Sequence, residues 1–302
     1  MTQRVSDELQ KIIKELGSTQ IEDLVSQVAG GKMLRPRLML KISQNERIYE
    51  LAAIIELIHI ASLLHDDVID SSLLRRQKPT VNATAGDKTA VMLGDILYSK
   101  AFSKLISFGP KIAYEVSSAV TTLSIGEMED VEMGKSVNLN EELYLSMLYK
   151  KTGSLIEAAA VSAAMLDGID DDNIRVYGQN LGVAFQLIDD LLDIISDEKT
   201  LGKQPFSDFK EGKTTIAFIH LYKNGDIDAT GFLDSIYRKE PSEEEIKKLL
   251  GLFRQYGSIE YALSLAKEIS KKAVSAIQKS ALPADKSGAL AEITSAQLQR
   301  LS

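Results

Sequence analysis

Cysteine is absent from the 302-residue chain. Disulfides, zinc–cysteine centres and thiol nucleophiles are therefore excluded, and a reducing compartment fits. Proline is scarce, with six residues, so long helices meet few interruptions. No run approaches the roughly 18 consecutive apolar residues expected of a membrane span. The opening MTQRVSDELQKIIKEL has acids among its first ten residues and lacks the apolar core of a signal peptide. Excess positive charge is missing too: 35 Lys+Arg against 43 Asp+Glu give a net charge of −8, which argues against a nucleic-acid partner. A cytoplasmic protein is expected, with transient membrane contact left open. Local basic clusters remain free to bind anions.

What is present is helical. Hydrophobic residues make up 44% and charged residues 26%, the composition of a globular protein. Apolar residues recur at helical spacing along nearly the whole chain, and strand alternation is almost nowhere seen. The clearest patterns are VSDELQKIIKEL, a mostly apolar stretch from about Tyr49 to Asp70, TAVMLGDILYSKAFSKLISF before Gly109-Pro110, and IAYEVSSAVTTLSIGEMEDVEM. EELYLSMLYKKTGSLIEAAAVSAAML and RVYGQNLGVAFQLIDDLLDIISD follow, then a polar loop TLGKQPFSDFKEG and a shorter helix TTIAFIHLY. Two further helices are read from Ser242 onward, where Ser242 and Glu245 have capping-box spacing. There is no fixed-period repeat and no low-complexity linker. The chain reads as one all-α domain, residues 1–302, in which the apolar helices are enclosed by others.

Three acids interrupt the most apolar helix. In LLHDDVIDSSLLRR, Asp66, Asp67 and Asp70 fall on one side of a helix. FQLIDDLLDII repeats the pattern with Asp189, Asp190 and Asp193. A solvated acidic face is the ordinary explanation for one such motif, but the Leu, Ile and Val neighbours of both argue against exposure. Two carboxylates about 4 Å apart repel by roughly 4 kcal/mol at an effective dielectric of 20. Acids gathered in one cavity therefore call for cations between them. Oxygen-only ligands suit a hard ion, Mg²⁺ or Mn²⁺, completed by water and substrate phosphate.

Basic residues cluster in GGKMLRPR (Lys32, Arg35, Arg37), LLRRQKPT (Arg75, Arg76, Lys78), YKKTGS (Lys150, Lys151, Thr152) and KEGKTT (Lys210, Lys213, Thr214, Thr215). Neither GKMLRP nor GKTT has the spaced glycine or preceding strand of a P-loop, so a nucleotide site is not expected.

In that order, the motifs GGKMLRP, DDVID followed by RRQKPT, KT, FQLIDDLLD and GKTT resemble those of the trans-isoprenyl diphosphate synthases, the polyprenyl synthetase family. The resemblance is strongest to the octaprenyl diphosphate synthase branch. It implies an all-α helical bundle of the isoprenoid synthase type around a central cavity, and a homodimer. It implies that Asp66, Asp67, Asp70, Asp189, Asp190 and Asp193 hold Mg²⁺ against an allylic diphosphate. Arg75, Lys151, Thr152, Gln186 and Lys213 would bind that diphosphate or aid its departure, and Lys32, Arg35, His59 and Arg76 would bind isopentenyl diphosphate. Helical spacing independently places Gln186 on the face of Asp189 and Asp190. His65 and His220 keep an ordinary structural reading. Two departures from the family pattern are Met33, where arginine is common, and Gln77, where glycine is usual.

In short-chain enzymes of the family, bulky aromatics four or five residues before the first acid close the hydrocarbon slot. Those positions here are the small Ala61 and Ser62, which favours a medium or long product, octaprenyl first. The alternatives are a short-chain farnesyl or geranylgeranyl synthase, a terpene cyclase, and a non-catalytic partner subunit. A cyclase normally replaces the second acid motif, and a partner subunit usually loses one of the two.

Overall fold

The computed structural model describes residues 2–195 and 206–301. In chain order the helices are α1 (Thr2–Lys14), α2 (Thr19–Val28), α3 (Leu34–Ile42), α4 (Ile48–Ile69), α5 (Val81–Ala85), α6 (Asp87–Leu105), α7 (Pro110–Met133) and α8 (Glu141–Leu148). There follow α9 (Ser154–Leu166), α10 (Asp172–Ile195), α11 (Ser207–Lys210), α12 (Ile216–Asn224), α13 (Ile227–Ile236), α14 (Glu243–Gln255), α15 (Ser258–Lys279) and α16 (Ala284–Leu298). The only strands among the described residues are β1 (Leu74–Arg75) and β2 (Lys78–Pro79), a two-rung antiparallel hairpin. The all-α expectation holds. Part of the loop read at TLGKQPFSDFKEG, up to residue 205, lies outside the described residues.

The chain divides into two compact units. The first takes the chain up to Thr121, then Leu155–Gly178 and Ala276–Leu290; the second takes Thr122–Ser154, Gln179–Ser275 and the chain from Ala291 onward.

In the first unit α4 is the central element. Its apolar residues run all round the helix, so no face suits water, and α1, α2, α3, α5 and α6 pack against it. Ile54, Ile55, Leu57, Ile58 and Ala61 are fully buried. By length and composition this helix is long and apolar enough to cross a membrane, which corrects the reading that no segment is. Interrupting Glu56 and His59 conceal it in a search for unbroken runs. Since 72% of its apolar window is buried inside the structure, it is accounted for as a core helix.

In the second unit Phe206, Phe209, Phe218 and Phe253 form an aromatic nucleus. Phe209 stacks on Phe218 with centroids 4.1 Å apart, and Phe253 meets Phe218 edge-on at 5.0 Å. The predicted capping box is present: the Ser242 hydroxyl accepts from Glu245 N–H at 3.3 Å, and Glu245 accepts from Ser242 N–H at 2.7 Å. Two features depart from expectation. The predicted helix from Glu141 onward contains a π-helical turn, Tyr149–Gly153, between α8 and α9. A further helix, α16, follows the last one read from the sequence.

Candidate active site

The first unit carries the acids of α4 and the bases around its end. Asp67 is 2% exposed and lies at the last turn of α4. Arg75 donates to its Oδ1 through Nε and Nη2, both at 2.8 Å. Asp66 and Asp70 are half-buried. The β1–β2 hairpin brings Arg75 back to the acid motif. Its tip places Arg76 at φ 52° and Gln77 at φ 63°, a tight turn with both central residues left-handed. Thr80 fixes the base of the hairpin, donating to Ser72 O at 2.7 Å, and Asn82 donates to Asp67 O at 3.2 Å.

The glycine pair preceding α3 meets this hairpin. Gly30 has φ 111°, open to glycine alone, and a Cβ on Gly31 would stand 2.6 Å from Arg76 Nη2. A cavity of about 190 Å³ opens here, lined by Gly30, Asp67, Arg75, Arg76 and Lys78 among others. Three cations against one acid give this cavity a lining that suits an anion. Arg35 has a buried Nε with no hydrogen-bond partner, and Glu56 then Asp66 counter the effect of burial on its guanidinium. Burial, reinforced by Arg35, Arg75 and Arg76, holds the His59 imidazole well below its usual pKa. It is therefore neutral at pH 7. Lys32 is exposed at the loop edge. Ala61 and Ser62 are buried, and the Ser62 hydroxyl donates to His59 O at 2.9 Å.

The second unit carries the other half of the motif set. On α10, Asp190 is buried and accepts from Gln186 Nε2 at 3.0 Å and from the Tyr144 hydroxyl of α8. Gln186 in turn accepts from the Thr152 hydroxyl at 3.1 Å, so it lies on the acid face as its spacing requires. Burial, then Asp208 and Asp189, push the Asp190 carboxyl well above the carboxylate range, against the two hydrogen bonds that lower it. Asp189 pairs with Arg300 at 2.8 Å. Asp193 accepts from Asp208 N–H at 3.3 Å, and its carbonyl accepts from Phe206 N–H at 3.0 Å. It thereby anchors the segment that delivers Lys213, whose N–H donates to Asp208 O at 2.8 Å.

Lys151 and Lys213 converge on α7. Lys151 Nζ lies 2.6 Å from Asp130 and 2.9 Å from Glu127; Lys213 Nζ lies 3.7 Å from Asp130 and 2.8 Å from Glu211. Sequence reasoning missed Glu127, Asp130, Glu56, Asp208, Tyr144 and Arg300. Glu127 and Asp130 are i,i+3 acids within GEMED, the signal that exposed the other motifs, and Glu56 is an acid three residues before His59 in an apolar helix. Nothing in the sequence marks Tyr144 or Arg300. His65 packs beside Asp95 at 3.4 Å and His220 bonds Ser258 at 3.0 Å, the structural roles expected of them.

Among the described residues, no three acidic or histidine side chains stand together as a metal cage. Mg²⁺ is ordinarily held by one or two carboxylates completed with phosphate and water. The half-buried Asp66 and Asp70, four residues apart on α4, and Asp189 on α10 offer oxygen donors that suit that mode. Unpaired buried carboxylates cost several kcal/mol, and here Arg75, Arg300, Tyr144 and Gln186 compensate them. A divalent ion would take over part of that compensation.

The helix arrangement is the isoprenoid synthase fold. An octaprenyl pyrophosphate synthase from Helicobacter pylori superposes with a TM-score of 0.92 at 41% identity, covering 99% of this chain and 98% of that one. A polyprenyl synthase from Caulobacter crescentus CB15, complexed with calcium and isoprenyl diphosphate, gives 0.90 at 30% identity, covering 99% and 94%. A geranylgeranyl diphosphate synthase from Sulfolobus acidocaldarius is 35% identical over 88% of this chain and 87% of its own. The polyprenyl synthetase family model matches residues 18–253, and the chain belongs to that family. It is a trans-prenyl diphosphate synthase.

Proposed function

We propose that the chain, as one polyprenyl synthetase domain, condenses isopentenyl diphosphate with an allylic diphosphate to make a polyprenyl diphosphate, octaprenyl in length. The observation that carries this reading is that each unit holds an acid motif and a basic cluster: Arg75, Arg76 and Lys78 lining a cavity beside Asp67 in one, Lys151 and Lys213 in the other. The octaprenyl length is supported by the small Ala61 and Ser62 and by the Helicobacter relative. The Sulfolobus relative favours a second reading, a geranylgeranyl product.

Mg²⁺ held by Asp66, Asp67, Asp70, Asp189 and Asp190 would supply positive charge to the leaving diphosphate. The calcium and isoprenyl diphosphate of the Caulobacter protein support a divalent ion with this class of ligand. Asp193 is assigned instead to anchoring Phe206–Asp208. Arg75, Lys151 and Lys213 bind the allylic diphosphate and stabilise the charge it gains as the allylic C–O bond breaks, its electron pair leaving with the oxygen. Thr152 and Gln186 fix the orientation of Asp190. Lys32, Arg35, Arg76 and neutral His59 hold isopentenyl diphosphate so that its double bond supplies the pair for the new C–C bond. The adjoining carbon then loses a proton to the released diphosphate, restoring a double bond. No protein nucleophile is needed.

A homodimer accompanies this proposal. Met92, Ile106 and Tyr114 are large apolar side chains left 57%, 75% and 74% exposed. The test is mass spectrometry of products from labelled isopentenyl diphosphate with geranyl, farnesyl and geranylgeranyl starters. A main product of eight isoprene units is expected. A ladder ending at four units overturns the octaprenyl assignment, and no elongation overturns the reading itself.

A further inference from the structure

The π turn that carries Lys150, Lys151 and Thr152 is gripped by two glycines on different helices. A Cβ at Gly126 of α7 would stand 2.4 Å from Lys151 N and 2.7 Å from the Lys150 carbonyl carbon. One at Gly182 of α10 would stand 2.4 Å from Gly153 Cα and 3.1 Å from Gly153 N. These are backbone atoms, so no flexible side-chain end can yield. Ordinary contact begins at 3.4 Å, and 3.4 − 2.4 leaves about 1 Å that the turn itself must move. Each helix also holds the turn by a polar contact within about one helical turn of its glycine. On α7, Glu127 and Asp130 grip Lys151; on α10, Gln186 accepts from Thr152.

We propose that Gly126 and Gly182 are positioning residues forming a two-sided clamp, which holds Tyr149–Gly153 in its π conformation and so aims Lys151 at the allylic diphosphate and Thr152 at Gln186. A π turn inserts one residue into an α-helix and is frequent at functional sites. Without close approach on both sides, the rod from α8 to α9 would relax toward regular α-helix and rotate these side chains away. The clamp rests on the function proposed above for Lys151 and Thr152.

The test compares Gly126→Ala and Gly182→Ala with wild type and with Gly251→Ala, where an added Cβ on α14 meets nothing within 4 Å. Misplacement by about 1 Å costs on the order of 100-fold in rate. Both clamp variants should lose about that much in kcat, with a raised KM for the allylic substrate. The KM for isopentenyl diphosphate should stay within twofold, and thermal midpoints should fall by only several degrees, the cost of overpacking in a protein that still folds. A folded clamp variant with kcat within threefold of wild type overturns the clamp. So does a uniform rise in both KM values. If the alanines prevent folding, Gly153→Ala applies milder crowding, at 3.0 Å from Tyr149 Cδ2; a several-fold loss in kcat is expected, and an unchanged kcat overturns the proposal. Should wild type and Gly251→Ala both fail to elongate, the functional reading falls and the clamp with it. If they elongate and the clamp variants match them, the clamp alone falls.

Discussion

Replacing Gly31 by alanine should separate the two substrates of this enzyme. The added methyl would lie 2.6 Å from Arg76 Nη2, 3.0 Å from Nη1 and 3.1 Å from Cζ. Relief to ordinary contact needs 3.4 − 2.6, about 0.8 Å, of guanidinium movement. Arg76 is exposed, so the side chain moves without disturbing the core, and Gly31 does not need a left-handed backbone. Folding stability should change little. What is lost is the alignment of one charge-assisted hydrogen bond to the diphosphate of isopentenyl diphosphate. Such bonds contribute about 1.5–3 kcal/mol, and 1.4 kcal/mol is tenfold. The KM for isopentenyl diphosphate should therefore rise by about 10- to 100-fold, with the KM for the allylic diphosphate within twofold. Steady-state kinetics with each substrate varied in turn reads both. An unchanged isopentenyl diphosphate KM in an active Gly31→Ala enzyme would refute the placement of Arg76 in that subsite.

Three further outcomes follow from particular residues. Gln77 sits at φ 63° in the hairpin turn, where a side chain costs about 1–2 kcal/mol and glycine's extra chain entropy about 0.5–1. Gln77→Gly should stabilise the protein by about 0.5–1 kcal/mol in urea titration, and a destabilised variant would contradict the turn geometry. Because the folded-state pKa of His59 lies well below its ordinary value of 6.5, the unfolded chain binds the proton first. Its contribution is complete above about pH 6.5 and is lost as pH falls from there through the folded-state pKa. His59→Asn should remove this rise of stability between pH 5 and 7 and leave the opposite trend set by Asp190 and Glu56, whose carboxyl pKa values are raised in the folded state; an unchanged slope would exclude a neutral His59. Ala61→Phe or Ser62→Phe should shorten the product, and an unaltered product length on thin-layer chromatography would remove both from chain-length control.

Much of this was legible in the sequence, for identifiable reasons. The periodicity of α4, α7 and α10 is local, and the Ser242–Glu245 capping box spans only four residues, so both survive without tertiary information. The acid motifs stood out because aspartate is costly among leucines. The π turn did not, because one inserted residue shifts the apolar pattern too little to interrupt it. The hairpin was hidden for a different reason. Its turn residues, Arg76 and Gln77, lack the glycine or asparagine that usually marks left-handed backbone, so the departure at Gln77 looked incidental rather than strained. Met33, the other departure, is also left-handed at φ 47°. Arg300 with Asp189, and Tyr144 with Asp190, are separated by 111 and 46 residues. Nothing local encodes such pairs.

A crystal structure with Mg²⁺ and a non-reactive allylic thiodiphosphate tests most directly whether the acid motifs hold the metal. Carboxylate oxygens of the α4 motif, Asp66, Asp67 or Asp70, and of the α10 motif, Asp189 or Asp190, should lie about 2.0–2.1 Å from Mg²⁺. Bound diphosphate with no Mg²⁺ on either motif would contradict the metal assignment.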